Sequence, residues 1–203
     1  DHVAITAHKM LSGIADEGDI FLKKIIPVTN STDIGTLFEE IESVIPGMVH
    51  ELLDGIESGT INPIPQDETK CILSYPRYPS DGWIDWSKPA KEIDRLVRSV
   101  SKPYPGAFTC WNMKKIFIWK GYVLAEHPPF VGVPGHVIGS DDNLSVKVLT
   151  GEGIYVVTEI NEENGDEIIP PATLIKGVQQ RLGLTSGELF EVLKLLWEKK
   201  EGP

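Results

Sequence analysis

The stretch "ITAHKMLSGIADEGDIFLKK", residues 5–24, decides how the first part of the chain is read. A β-rich run, "HVAITAHKM", enters a polar turn from Ser12 to Gly18, and "DIFLKKIIPV" leaves it as a second strand. Asp16 and Asp19 flank a Glu-Gly pair in that turn. Asp and Gly are common turn residues, so "DEGD" taken alone reads as an ordinary turn. The alternative is a carboxylate held at the lip of an active site, and the rest of the chain has to choose. Asp19, at the start of a strand, reads as satisfying local backbone donors. His8, inside an apolar strand, reads as a structural histidine.

Downstream, "NST" precedes apolar residues at three- and four-residue steps from Ile34 to Ile56, which predicts an amphipathic helix. Ser31 or Thr32 is the expected N-cap and Gly59 the expected stop, with Pro46 kinking the helix or dividing it. "INPIPQDETKCILSYPRYPSDGW" follows as an extended connector with one short strand. A second helix is expected after Ser87 as its cap, burying Ile93, Leu96, Val97 and Val100. Short apolar runs between Gly- and Pro-marked turns then fill Gly106 to Ile160, the pattern of a small β-barrel or sandwich. "PPATLIKGVQQRLG" predicts a short helix with Leu174, Ile175, Val178 and Leu182 inward. Thr185 and Glu188 predict a capping box for a last helix.

The 203 residues are 41% hydrophobic, enough for a core, and no run approaches a membrane span. The chain opens on Asp1 without the layout of a secretory signal, and an N-terminal part is expected to be missing. Two cysteines without a CxxC pair suggest reduced thiols and a cytoplasmic location. The five histidines are scattered and none pairs at ligand spacing, so no metal is expected. The net charge of −11 opposes nonspecific nucleic-acid binding. Yet Lys88 to Lys120 holds eight Lys or Arg against two acids, whereas Asp141 to the end holds twelve acids against six bases. An anionic partner should therefore meet the middle of the chain.

Taken in order, several stretches resemble the folate-dependent formyltransferases, a group that includes methionyl-tRNA formyltransferase and the nucleotide-amino-sugar formyltransferases. They are "DEGD" at Asp16, "QDET" at Gln66, "IDWSKPA" at Ile84, "VRSVSKPYPGAF" at Val97 and "VLTGEG" at Val148. The likeness covers residues 3 to 160, and the ordered set is more specific than any one piece. It implies an α/β fold: the C-terminal portion of a Rossmann-like formyltransferase domain with its connector over 1–82, a linker helix and small open β-barrel (OB-like) domain over 83–160, and a C-terminal helical pair over 161–203. It also implies transfer of a formyl group from 10-formyltetrahydrofolate to a primary amine, with no metal. The family's catalytic trio is Asn, His and Asp. Only the Asp carries over, onto Asp16, and the Asn and His are expected upstream. The loop before it, which lines the folate ring in the family, maps onto Ser12, Gly13, Ile14 and Ala15.

The chemistry accounts for a carboxylate at that place. The attacking amine must be neutral, and negative charge develops on the formyl oxygen. Asn and His can donate hydrogen bonds to that oxygen, while an Asp orients the His or relays a proton. Lys91, Arg95, Arg98 and Lys102 share one face of the second helix. A solvated surface is the plain reading of that stripe, and phosphate contact with an acceptor is the functional one. The acceptor implied is methionyl-tRNA or a nucleotide-linked amino sugar. The acidic C-terminal third argues against the former, and "SYPRYPSDG" looks more like the amino-sugar branch. A 10-formyltetrahydrofolate hydrolase and a non-catalytic folate-binding fragment are the alternatives. No membrane partner is expected, and a homodimer is left open.

Overall fold

The computed structural model describes residues 1–13, 16–165 and 167–200. They fall into two compact units, Asp1–Arg77 and Tyr78–Pro203.

The first unit is a hairpin and a long helix. β1 (His2–His8) pairs antiparallel with β2 (Ile20–Pro27), from His2 opposite Pro27 to His8 opposite Ile20, with a bulge between Ala7 and His8. α1 (Ile34–Ser58) lies against β2 and ends at Gly59, whose left-handed backbone turns its N–H onto Gly55 O and Ile56 O. Its N-cap is Asp33, not Ser31 or Thr32. The Asp33 carboxylate accepts from Thr36 N at 2.8 Å and Thr36 Oγ1 accepts from Asp33 N at 3.1 Å. Ser31 and Thr32 are drawn into the preceding turn, where the Thr29 hydroxyl meets Ser31 Oγ at 2.8 Å and Thr29 N donates to Thr32 Oγ1 at 3.0 Å. α1 runs through Pro46 as one element. The missing N–H removes one hydrogen bond from a ladder long enough to lose it. In the connector, the expected short strand reduces to one antiparallel bridge, Ile64 with Ile20.

The second unit is built on an antiparallel sheet of five strands in the order β3-β4-β7-β6-β5. The strands are β3 (Ala107–Trp111), β4 (Lys114–Val123), β5 (Val137–Ser140), β6 (Val146–Leu149) and β7 (Ile154–Glu162). α2 (Ala90–Ser99) packs Ile93 and Val97 into a core with Ile116, Ile118, Val157 and Ile160. Alternation along β4 buries Ile116 and Ile118 and turns their neighbours outward, as a sheet with one covered face requires.

Ser87 does not cap α2. It is held by Asp85, which accepts from Ser87 N at 2.9 Å and from Ser87 Oγ at 2.6 Å. The N-cap is Pro89, and the Ala90 N–H is met from the sheet by Glu152 O at 2.9 Å. The Thr150–Gly153 turn thus reaches the helix start, and Gly151 N donates back to Trp86 O and Lys88 O. "IDWSKPA" and "VLTGEG" are therefore one structural joint. Gly151 must be glycine, because a Cβ there would collide with the Ser87 carbonyl.

The predicted helix over 171–182 is absent. Pro171–Thr173 makes one 3-10 turn, Ile175 and Leu182 are buried as expected, and Val178 is exposed. The physical reason is that residues beyond it are needed as an edge. Val137 N on β5 donates to Gln180 O at 3.0 Å, and Gly183 N donates to Cys110 O on β3 at 2.8 Å. An extended segment joins the two outer strands of the sheet and satisfies backbone groups that a helix would leave open. α3 (Ser186–Lys200) follows and is the single helix of the expected pair. Its capping box is formed: Thr185 N donates to Glu188 Oε2 at 2.7 Å and Glu188 N to Thr185 Oγ1 at 3.2 Å.

No helix among the described residues is long and apolar enough to cross a membrane.

Candidate functional site

In the first unit the connection between β1 and β2 carries the sequence-predicted carboxylate. Lys9 N donates to Asp19 O at 2.9 Å, closing the base of the turn. Asp16 has φ 59°, a left-handed backbone that Asp tolerates better than most residues. Gly18, at φ 130°, sits so close to the Lys9 carbonyl that a Cβ would collide with it. The turn is therefore bent by both residues, and the Asp16 side chain projects into solvent, 99% exposed.

Two neighbours complete the geometry. His8 Nε2 lies 3.9 Å from Asp16 Oδ1. Its other ring nitrogen, Nδ1, is 3.2 Å from Lys9 O, so the imidazole is seated against the hairpin. On the far side, the Gln66 carboxamide donates to Asp16 O at 2.9 Å and to Gly18 O at 2.8 Å. The arrangement can hold a carboxylate outward at a set place, within reach of a proton on a nitrogen. Ser12 and Gly13 are exposed on the same turn, and among the described residues nothing lies within 4 Å of the point a Cβ would occupy on Gly13. Ile14 and Ala15, predicted beside them, lie outside the described residues.

In the second unit the four predicted phosphate contacts do not act as one stripe. Lys91 and Arg95 are exposed on α2. Arg98 is turned into an ion pair with the largely buried Asp94, Nε to Oδ2 at 2.8 Å. Lys102 rests its ammonium over the Trp119 ring, 5.2 Å from the centroid. The β4 lysines are also engaged: Lys114 with Glu162 at 3.5 Å, Lys115 with Glu163 at 3.7 Å and Lys120 with Glu159 at 3.1 Å. Antiparallel pairing of β4 with β7 brings the basic middle of the chain onto acidic residues that follow it. Lys115 further sits over Phe108 and Phe117, 4.3 and 4.6 Å from their centroids.

Residues 78–179 match the family model described as "Formyl transferase, C-terminal domain". The chain belongs to that family. The match opens at the residue where the second unit begins, so the family domain and the larger folded unit start together. Methionyl-tRNA formyltransferase of Lachnospira eligens is 29% identical over 191 residues, 93% of this chain and 59% of that protein. The methionyl-tRNA formyltransferase of Roseiflexus castenholzii is 31% identical over 173 residues, 85% of this chain and 52% of that protein. The formyl transferase chain thus spans between half and three-fifths of the length of these curated relatives. Among solved structures, a variant of HypX from Aquifex aeolicus shares the fold with a TM-score of 0.63 at 22% identity, over 87% of this chain and 31% of that one. WlaRD, described as a sugar 3N-formyl transferase, shares it with a TM-score of 0.52 at 16% identity, over 81% of this chain and 56% of that one.

The Asp16 turn is legible in the sequence, whereas Gln66 bonds it across 48 and 50 positions, a separation that local patterns do not reach. His8, expected to be structural, is seated on Lys9 O and has its ring 3.9 Å from the Asp16 carboxylate. Asp94 carried a signal that could have been used: it stands four residues before Arg98, the spacing of a helical ion pair.

Proposed function

We propose that this formyl transferase family member acts in the transfer of a formyl group from 10-formyltetrahydrofolate to a primary amine. Asp16 is the catalytic carboxylate, and Ser12, Gly13, Ile14, Ala15 and Asp16 line the folate. The observation that carries this reading is the Asp16 turn, with its carboxylate wholly exposed and the carbonyls of Asp16 and Gly18 both bonded by Gln66. The bound folate supplies the activated formyl group. Asp16 takes or orients the proton that the amine must lose, and the bare backbone at Gly13 lets a ring lie close. The HypX structure described as a complex with tetrahydrofolic acid shares the fold with a TM-score of 0.59, which agrees with a folate partner.

The acceptor is methionyl-tRNA or a nucleotide-linked amino sugar. The curated relatives named methionyl-tRNA formyltransferase favour the first, and WlaRD favours the second. Lys91 and Arg95 are the cations of the predicted stripe placed to touch an acceptor phosphate. A hydrolase that releases formate is the second reading, favoured by the engagement of Arg98, Lys102 and the β4 lysines with partners inside the unit.

Formate release and formyl-amine formation from 10-formyltetrahydrofolate, measured on the full-length protein with and without each acceptor, test this. Product that forms only with an acceptor supports transfer, and formate release indifferent to acceptor supports the hydrolase. Reversing Lys91 and Arg95 to Glu should raise the acceptor KM about tenfold or more and leave the folate KM in place. An unchanged acceptor KM would return both residues to the role of solvated surface.

A further inference from the structure

Gln66 lies in the connector that follows α1, and its side chain reaches into the Asp16 turn. Its carboxamide meets Asp16 O at 2.9 Å and Gly18 O at 2.8 Å. Both partners are carbonyls, so only the NH2 end of the amide can serve them, and its orientation follows from the chemistry. The two carbonyls belong to residues at φ 59° and φ 130°, and they flank Glu17. One nitrogen bonding both fixes the backbone on each side of that residue.

Gln66 is itself held. Two residues before it, Ile64 and Ile20 exchange both backbone hydrogen bonds, at 2.8 and 2.9 Å, and so pin the connector beside the start of β2. One residue after it, Asp67 Oδ1 accepts from Thr69 Oγ1 at 2.6 Å and from Thr69 N at 3.2 Å, which closes a local turn. The Gln66 side chain thus leaves a backbone fixed just before and just after it. By contrast, among the described residues the Asp16 carboxylate has one ion-pair neighbour, His8, at 3.9 Å. Its direction depends on its backbone, and that backbone has an unfavoured φ which surrounding bonds must maintain.

We infer that Gln66 is a positioning residue: its paired hydrogen bonds hold the left-handed Asp16 backbone and thereby aim the carboxylate. The inference rests on the reading of Asp16 as the catalytic carboxylate. A surface glutamine that merely tidied a loop would be exchangeable for any polar residue. A clamp needs a donor of this length, because a shorter amide cannot span both carbonyls and a carboxylate would repel them.

Gln66→Leu, Gln66→Asn and Gln66→Glu in the full-length protein separate these cases. Gln66→Leu should lower kcat about 10- to 100-fold while the acceptor KM stays in place, as expected for a misplaced reacting group. Hydrogen exchange at the Lys9 amide, which donates to Asp19 O at the base of the turn, should quicken, with exchange in β4 and β7 unchanged. Gln66→Asn should fall short of rescue. In Gln66→Glu the charged carboxylate faces two carbonyls at neutral pH, and its protonated form regains one donor. Turnover relative to the parent protein should therefore rise as pH falls toward the ordinary carboxylate range, about 4–5. Wild-type kcat in Gln66→Leu, or a Gln66→Glu ratio that is flat with pH, would overturn the inference. A silent Asp16→Asn would instead retire the functional reading on which it rests. An inactive Asp16→Asn beside a fully active Gln66→Leu would sink the clamp alone.

Discussion

The two units differ in how much apolar surface they bury among the described residues. Among the described residues, the buried apolar side chains of Asp1–Arg77 are Ile26 and Met48, whereas those of Tyr78–Pro203 run from Ile84 to Leu182 and most form one cluster. In the second unit α2 and the sheet enclose a core, and the outer strands of the sheet are joined through residues 180 to 183. In the first, the α1 residues Ile45, Val49, Leu53 and Ile56 remain between 41% and 54% exposed. The candidate turn there is held by hydrogen bonds instead of burial. This contrast teaches where stability and activity should separate. Substitutions in the turn should change chemistry and spare the fold, and substitutions in the sheet should do the reverse.

The largest expected effect breaks or keeps that separation directly. Asp16→Asn should lower turnover by about 10²- to 10⁴-fold, the usual worth of a positioned acid or base. Its urea midpoint should barely move, because the side chain is wholly exposed. Equal losses of activity and stability would erase the contrast. Next, Ile118→Ala, at a fully buried position on β4, should cost about 2–5 kcal/mol in urea unfolding. The folate KM of the fraction that remains folded should be unchanged.

Acid sharpens the comparison within the second unit. The Glu188 carboxyl is held below its ordinary value chiefly by the Thr185 backbone N–H, then by the Thr185 hydroxyl and by Arg181. A depressed folded value means the cap contributes fully above the unfolded range near pH 4.3 and is lost as pH falls through the folded value. Circular dichroism should therefore lose helix at the start of α3 below about pH 4 while the sheet persists. Helix loss beginning at neutral pH would contradict this sign. The smallest effect is expected at Tyr155. Its hydroxyl is buried without a hydrogen-bond partner among the described residues, and burial pushes its pKa far above the ordinary phenol range. Tyr155→Phe should therefore be neutral or stabilising, by no more than about 1 kcal/mol. A clear destabilisation would reveal an interaction of that oxygen.

Much of the fold was legible because it is local. The three- and four-residue stripe of α1, the left-handed Gly59 stop, the strand alternation and the Thr185–Glu188 box all follow from residues a few positions apart. The errors share one cause. Ser87 was a good cap by type, but Asp85 took its donors and Glu152 met the helix start from across the unit. Residues 174–182 have apolar spacing suited to a helix, but two outer strands needed a backbone partner and the segment went to them. Lys91, Arg95, Arg98 and Lys102 share helical spacing, yet spacing does not show which cations already have an acid or a ring beside them.

From the amino-acid order alone came most of the elements, the Gly59 stop, the Thr185–Glu188 cap and the family, since each depends on near-neighbour periodicity or on a short ordered motif. Only the folded chain decided that Gln66 bonds the backbone beside Asp16, that the β4 lysines meet acids on and just after β7, and that an extended segment, not a helix, joins the sheet edges. Hydrogen bonds and ion pairs between residues tens of positions apart are set by strand register and chain reversal, and those become fixed when the core packs.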